Sequence, residues 1–241
     1  MSNQGGFYAA VSGGMAQEKR LEILTNNLAN INTDGYKKDV LSFRSFLNNA
    51  QSARGETDLV GISDFRTDFS QGKIVKTGNT FDLALSGNGF FEIDTPQGVR
   101  YTRQGDFTLN SDNQLVTADG DPVSGSSGPL VIDGAHVTIG TDGEVTVDQS
   151  SVGQVKVVSF ADTSKLEKAG AGLFINNGGP GNLTQDLNVS VRQGYVEKSN
   201  VNMVEEMLQL IDVSRSYESY QKVIQSMDDA SKAVTSELGR G

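Results

Sequence analysis

Val213-Ser214-Arg215-Ser216-Tyr217-Glu218-Ser219-Tyr220-Gln221-Lys222-Val223-Ile224-Gln225-Ser226-Met227 carries the reading on which the fold turns. Val213, Tyr217, Tyr220, Ile224 and Met227 recur at alternating spacings of four and three. Ser231, Val234 and Leu238 continue that rhythm downstream, and Met203, Met207 and Leu210 extend it upstream. Such spacing is the seam of a coiled coil. The other end of the chain answers it, with Phe7, Val11, Gly14, Glu18 and Leu21, then Leu24, Leu28 and Ile31, in the same three-and-four spacing. The spacing predicts a first helix over about 5–31 and a last helix from about Asn200. Ordering about 25 residues costs on the order of 25–50 kcal/mol of backbone entropy, and a stripe of about seven buried side chains returns roughly 10–20 kcal/mol. Neither helix is therefore expected to be stable alone. They must meet each other or meet other subunits, and the expectation is that the ends are loose in a monomer and ordered in an assembly.

Between the helices the pattern changes period. Phe81, Leu83 and Leu85 alternate with Asp82 and Ala84, and Phe90 to Ile93 reads as the next strand after a break at Ser86-Gly87-Asn88-Gly89. Thr95-Pro96-Gln97-Gly98 is a turn, with Val99 to Arg103 returning as a hairpin partner. Phe107 to Leu109 and Gln114 to Thr117 form another hairpin. Leu130 to Ile132, Val137 to Ile139, Val145 to Val147 and Val155 to Phe160 bring the total to roughly ten short strands, the rhythm of an antiparallel sandwich or irregular barrel. Lys165 to Lys168 and Phe43 to Leu47 read as helical turns, 61–76 as extended, and Asn176 to Asn182 as an exposed loop. The fold class is α+β. Discontinuous N- and C-terminal helices are expected to pack as a coiled-coil-like domain, with a central antiparallel β-rich domain. The expected divisions are 1–34 for the N-terminal helix, 35–80 for an extended connection, 81–183 for the β-rich outer domain, and 184–241 for the return segment and last helix.

Composition excludes several functions. A net charge of -10 is wrong for nucleic acid, because phosphate binding needs a basic face. With no cysteine in the chain, thiol chemistry and disulfides are excluded. No run of 18 or more apolar residues is present to span a membrane, and the start Met-Ser-Asn-Gln-Gly-Gly-Phe-Tyr lacks the basic and apolar regions of a secretory signal. His136, the single histidine, reads as a surface residue beside a turn. Asp119-Gly120-Asp121 and Asp142-Gly143-Glu144 set carboxylates beside glycine without the full calcium-loop series, so they read as turns. Arg103 and Asp106 flank Gly105 as a possible structural ion pair. No constellation meets the geometric demands of catalysis, and neither a cofactor, a metal nor a small-molecule substrate is expected.

Four motifs in order carry a resemblance. Asn26-Asn27-Leu28-Ala29-Asn30, followed by Thr33, Gly35, Tyr36 and Lys37, is similar to the N-terminal signature of the flagellar rod and hook proteins of bacteria. Leu83-Ala84-Leu85-Ser86-Gly87-Asn88-Gly89-Phe90-Phe91, and then Tyr101-Thr102-Arg103-Gln104-Gly105-Asp106-Phe107, resemble that family's β domain, which Leu115 to Gly120 continues. Gln193-Gly194-Tyr195-Val196-Glu197-Lys198-Ser199-Asn200-Val201-Asn202, with Glu206-Met207 and Arg215-Ser216-Tyr217-Glu218, is similar to its C-terminal signature. Asn113 stands where the family often has glycine. The short stretch Gln51 to Asp64 and the start at Phe7 look more like the proximal rod members than the distal ones.

The resemblance implies an axial structural subunit of the basal-body rod. Such a subunit leaves the cell through the flagellar type III export apparatus without a cleaved signal, polymerises helically with itself and other rod proteins, and transmits torque. The implied assembly interface comprises Phe7, Val11, Leu21, Leu24, Asn26, Asn27, Leu28, Asn30 and Ile31 on the first helix and its exit. On the last helix it comprises Met203, Met207, Leu210, Tyr217, Tyr220, Ile224, Met227, Val234 and Leu238. Three alternatives stand beside this reading: a distal rod or hook subunit, a monomeric β-sandwich binding module, and a glycan hydrolase using Asp119 and Asp121.

Overall fold

Asn202 turns the chain into its longest element. Its side-chain Oδ1 accepts from the amide of Val204, and Glu205 and Glu206 place acid in the first turn, where the helix dipole favours it. Helix α2 then runs over Met203–Leu238, about 54 Å at 1.5 Å per residue. Helix α1 spans Asn3–Ala29. The computed structural model describes residues 3–43, 62–184 and 188–238. Phe46, Leu47 and most of Gln51 to Asp64 lie outside the described residues, as do the side chains of Ser231, Val234 and Leu238.

The chain forms two compact units. The helical unit takes in the described residues of 1–29, 39–66 and 202–241, and the β-rich unit those of 30–38 and 67–201. Beside the helices, the first unit holds a two-stranded ribbon of Asp39–Phe43 and Ile62–Thr67. Phe43, expected in a helical turn, is the last residue of its first strand.

In the β-rich unit a six-stranded antiparallel sheet has the spatial order Leu166–Gly170, Leu173–Asn176, Gly98–Thr102, Gly89–Thr95, Val157–Phe160, Leu183–Thr184. Its central strand explains two apolar clusters. Side chains alternate across a strand, so Phe90 joins Tyr101, Phe160, Leu166 and Phe174 on one face. Phe91 and Ile93 join Leu83, Leu85, Phe107, Leu115 and Val123 on the other. Phe90 meets Phe160 and Phe174 edge-on, and Phe91 meets Phe107 edge-on at 5.1 Å. A three-stranded sheet of Val137–Ile139, Glu144–Val147 and Ser150–Gln154 adds Ile139, Val145 and Val147 to the larger cluster.

Several local expectations change. The hairpin at Thr95 closes as expected, with Thr95 paired to Gly98. Leu130 to Ile132 makes only an isolated bridge, Val131 to Gln114: the Leu115 amide donates to the Leu130 carbonyl and the Ile132 amide to the Asn113 carbonyl, and the pairing extends no further. The helical turn expected over Lys165 to Lys168 is a 3-10 turn at Thr163–Lys165, capped by Asp162, followed by the strand Leu166–Gly170. The loop 176–182 closes on itself, since the buried Asn182 donates to the Asp162 carbonyl and to Asn176 Oδ1. The return segment, expected to belong with the last helix, is β structure. Ser190–Gln193 pairs with Leu83–Ser86, and Tyr195–Glu197 pairs with Ile74–Lys76. Asn113 takes φ 56, the left-handed turn that asparagine tolerates where glycine is usual.

Candidate functional site

Two features stand out, one in each unit. In the helical unit, α1 and α2 run antiparallel in a constant register. A Cβ on Gly6 would meet Met227, and one on Gly13 would meet the ring of Tyr220. Asn27 Nδ2 donates to Glu206 Oε2 at 3.4 Å. Each step along α1 is matched by an equal step back along α2, and the contacts are separated by multiples of seven residues. Asn27 also holds the strand that follows. It donates to the Asp39 carbonyl and accepts from the Asp39 amide, both at 2.9 Å.

The residues that pack here differ in part from the apolar seam read in the sequence. Among the described residues of α1 the buried ones are Ala10, Gly14, Ala16, Ile23, Leu24 and Asn27. Gly14, Leu24 and Asn27 belong to the spacing or motifs read in the sequence; Ala10, Ala16 and Ile23 do not. Val11, Leu21 and Leu28 are half-buried, and Phe7 and Asn26 are exposed. Asn30 and Ile31 follow the helix and belong to the β-rich unit. On α2 the buried residues are Glu206 and Val213, with Leu210, Tyr217, Tyr220, Ile224 and Met227 half-buried. Small residues at Gly6, Gly13 and Gly14 let the larger α2 side chains approach, and hydrophobic periodicity does not register Gly6 or Gly13.

Met203 and Met207 point elsewhere. Val204, Met207, Leu208 and Ile211 are 67%, 48%, 60% and 47% exposed. They fall at i, i+3, i+4 and i+7, one face of the helix, and Glu206 and Val213 occupy another.

In the β-rich unit the three distant motifs converge on one carboxylate. Lys37 Nζ lies 2.6 Å from Glu197 Oε1, and Arg103 Nη1 lies 3.2 Å from Glu197 Oε2, with all three side chains at most 1% exposed. Lys37 also donates to the Ser70 carbonyl, and the Gly72 amide donates to Glu197 Oε1. Arg103 Nη2 donates to the Gly87 carbonyl at 2.6 Å, and its guanidinium lies 5.0 Å from the centre of the Phe90 ring. Burial pulls the Lys37 ammonium below the usual lysine range, against the opposing pull of Glu197, and burial likewise lowers Arg103. The expected pairing of Arg103 with Asp106 is thus replaced by one with Glu197. Asp106 is instead raised by burial and by the nearby charges of Asp34 and Asp82.

The connectors are cross-tied beside this cluster. The Gly35 amide donates to the Glu197 carbonyl, Lys38 N to Asn200 Oδ1, and Lys198 Nζ to Asp34 at 2.7 Å. Gly35 sits at φ +68, and a Cβ there would lie 2.3 Å from the amide nitrogen of Gln104. Only glycine brings this turn so close to the Arg103 strand. The sequence motifs signalled Lys37, Arg103 and Glu197 only as separate matches; their meeting needs the fold.

The residues considered for chemistry stay apart from any such cluster. His136 is 92% exposed, 3.5 Å from Asp148. Asp119 and Asp121 flank the turn at Gly120, closed by Thr117 N to the Asp121 carbonyl. Among the described residues no group of three or more His, Asp or Glu is placed to hold a metal ion, and no helix is long and apolar enough to cross a membrane.

Comparison with known proteins follows the same three regions. Residues 7–37 match the family described as flagella basal body rod protein, 84–147 the flagellar hook protein FlgE/F/G D1 domain, and 192–237 the flagellar basal body rod FlgEFG protein C-terminal region. The chain is 35% identical to the flagellar basal-body rod protein FlgF of Caulobacter vibrioides, over 97% of each chain. The chain belongs to the flagellar basal-body rod protein family. It is 32% identical to the rod protein FlgF of Mesorhizobium japonicum over 98% of each chain. It is 31% identical to the rod protein FlgG of Bacillus subtilis over 92% of this chain and 94% of that one. This rod protein is FlgF-like, a structural subunit of the flagellar basal body and not an enzyme. Lys37, Arg103 and Glu197 fall one in each of the three matched regions.

Proposed function

We propose that this rod protein assembles helically with copies of itself and with other rod proteins through its terminal helices, and that the resulting shaft transmits torque. The exposed strip Val204, Met207, Leu208 and Ile211 carries the reading. Fully burying a large apolar side chain returns roughly 1.5–3 kcal/mol. The strip is about half covered already, so a neighbour on it gains roughly 3–6 kcal/mol. Association costs about 4–15 kcal/mol. One such contact does not hold a free dimer, whereas several repeated contacts per subunit hold a polymer. The seven-residue recurrence of the α1–α2 contacts supports coiled-coil-like packing of the helical unit. Export through the flagellar type III apparatus, without a cleaved signal, is part of the same reading.

The test is the full chain carrying Leu208→Asp and Ile211→Asp. Both positions are exposed, so the purified subunit should keep its helix content and melting temperature while basal bodies fail to incorporate it and the cells do not swim. Normal rods built from this variant would refute assembly through the strip.

A further inference from the structure

We propose that Glu197 is a latch that closes the connector 35–38, the segment 70–72 and the strand Tyr195–Glu197 with its exit as one cooperative element, separate from the sheet cores. The inference is independent of how subunits assemble. Glu197 is the only carboxylate bonded to either buried cation of the cluster among the described residues, and it reaches both with separate oxygens. Asp68, on the partly exposed edge, is the next carboxylate whose charge Lys37 feels. Removing one member of a buried, hydrogen-bonded charge cluster leaves the rest uncompensated, and the local structure opens to let water reach them.

What opens is defined by the hydrogen bonds. Glu197 supplies its backbone carbonyl to Gly35 N and its Oε1 to both Lys37 and Gly72 N. Three residues on, Asn200 accepts from Lys38 N, donates to the carbonyls of Asp68 and Ser70, and gives its own amide to the Tyr36 carbonyl. Lys168 lies 4.3 Å from the centre of the Tyr36 ring and donates to the Lys37 carbonyl, a further tie on the same connector. These ties bind segments 160 positions apart in sequence to one another, whereas the amides of Gly89–Thr95 are held within the sheet. Segments joined this way open together at lower free energy than the core ladders.

Amide hydrogen exchange on the full-length chain tests this. In Glu197→Gln the amides of Gly35, Lys38 and Gly72 should exchange together, about 100-fold faster, with those of Gly89–Thr95 unchanged. Acceleration of Gly72 alone, which merely loses its own acceptor, would overturn the latch. So would equal acceleration across Gly89–Thr95 or failure of the variant to fold, since either makes Glu197 part of the global core. Asn200→Ala leaves every charge in place. It should speed Gly35 and Gly72 about 10-fold along with Lys38, although their own partners are intact; wild-type rates at Gly35 and Gly72 would also overturn the proposal.

Discussion

The ring of Tyr220 occupies the space where Gly13 lacks a side chain: a Cβ on Gly13 would lie 2.6 Å from Tyr220 Cε1 and 2.7 Å from Cζ. The absence of one carbon thus sets how closely the two helices approach. Gly13→Ala should raise intrinsic helix propensity by about 1 kcal/mol and yet lower the stability of the helical unit, because the ring has to leave its seat. In a Tyr220→Ala background the same substitution should become stabilising. A double-mutant cycle of thermal melts followed by circular dichroism reads the change of sign, and an unchanged sign would mean that the two residues are not coupled.

Asn27 joins α1 to the following strand through both backbone groups of Asp39. Asn27→Ala removes two hydrogen bonds at a buried site, which should cost about 2–3 kcal/mol. It also strips Glu206 of its bond from Nδ2. Urea titration of the full chain measures the loss, and a loss below about 0.5 kcal/mol, the usual range for surface substitutions, would show that the strand is held by other contacts.

Arg103 uses the planar fork of its guanidinium in three directions: to Glu197, to the Gly87 carbonyl and over the Phe90 ring. A lysine keeps the charge but not the fork. Arg103→Lys should therefore destabilise the β-rich unit by about 2–3 kcal/mol, comparable with losing a charge-assisted hydrogen bond inside the protein. A transition midpoint equal to wild type would reduce the role of Arg103 to charge alone.

Lys37 gives a pH dependence with a definite sign. Burial lowers its pKa in the folded chain, so the unfolded chain binds a proton over the window from that lowered value up to about 10.4. Stability rises with pH wherever the unfolded state holds more protons. The penalty for carrying charged Lys37 is present below the folded value and disappears as pH rises through the window. Tyr101 is shifted upward by burial and works in the opposite direction above about pH 10. The difference between wild type and Lys37→Met isolates the lysine: wild type should gain relative to the variant as pH rises through the range below about 10.4. A flat difference across that range would contradict a depressed lysine.

The heptads, the alternating strands and the turn residues were legible because each is a local property. A run such as Val213 to Met227 shows its period whatever it packs against, and Asn113 shows its tolerance for the left-handed turn without any partner. The family signatures were legible for the same reason, each lying within a short stretch. Local pattern could not say which face of α2 meets α1. Gly6 and Gly13 contribute almost no hydrophobicity and still fix the contact, while Met207, read as part of the seam, is left on the exposed strip. Nor could it say that Lys37, Arg103 and Glu197 form one cluster. An ion pair is decided by where chain topology delivers two charges. Here the pairing of Tyr195–Glu197 with Ile74–Lys76 delivers a carboxylate to a lysine 160 positions away, in a site dry enough for their bond to matter. The sequence by itself determined the elements and the family. Only the tertiary structure decided which faces are buried and which charges share a site, because burial and pairing depend on residues far away along the chain.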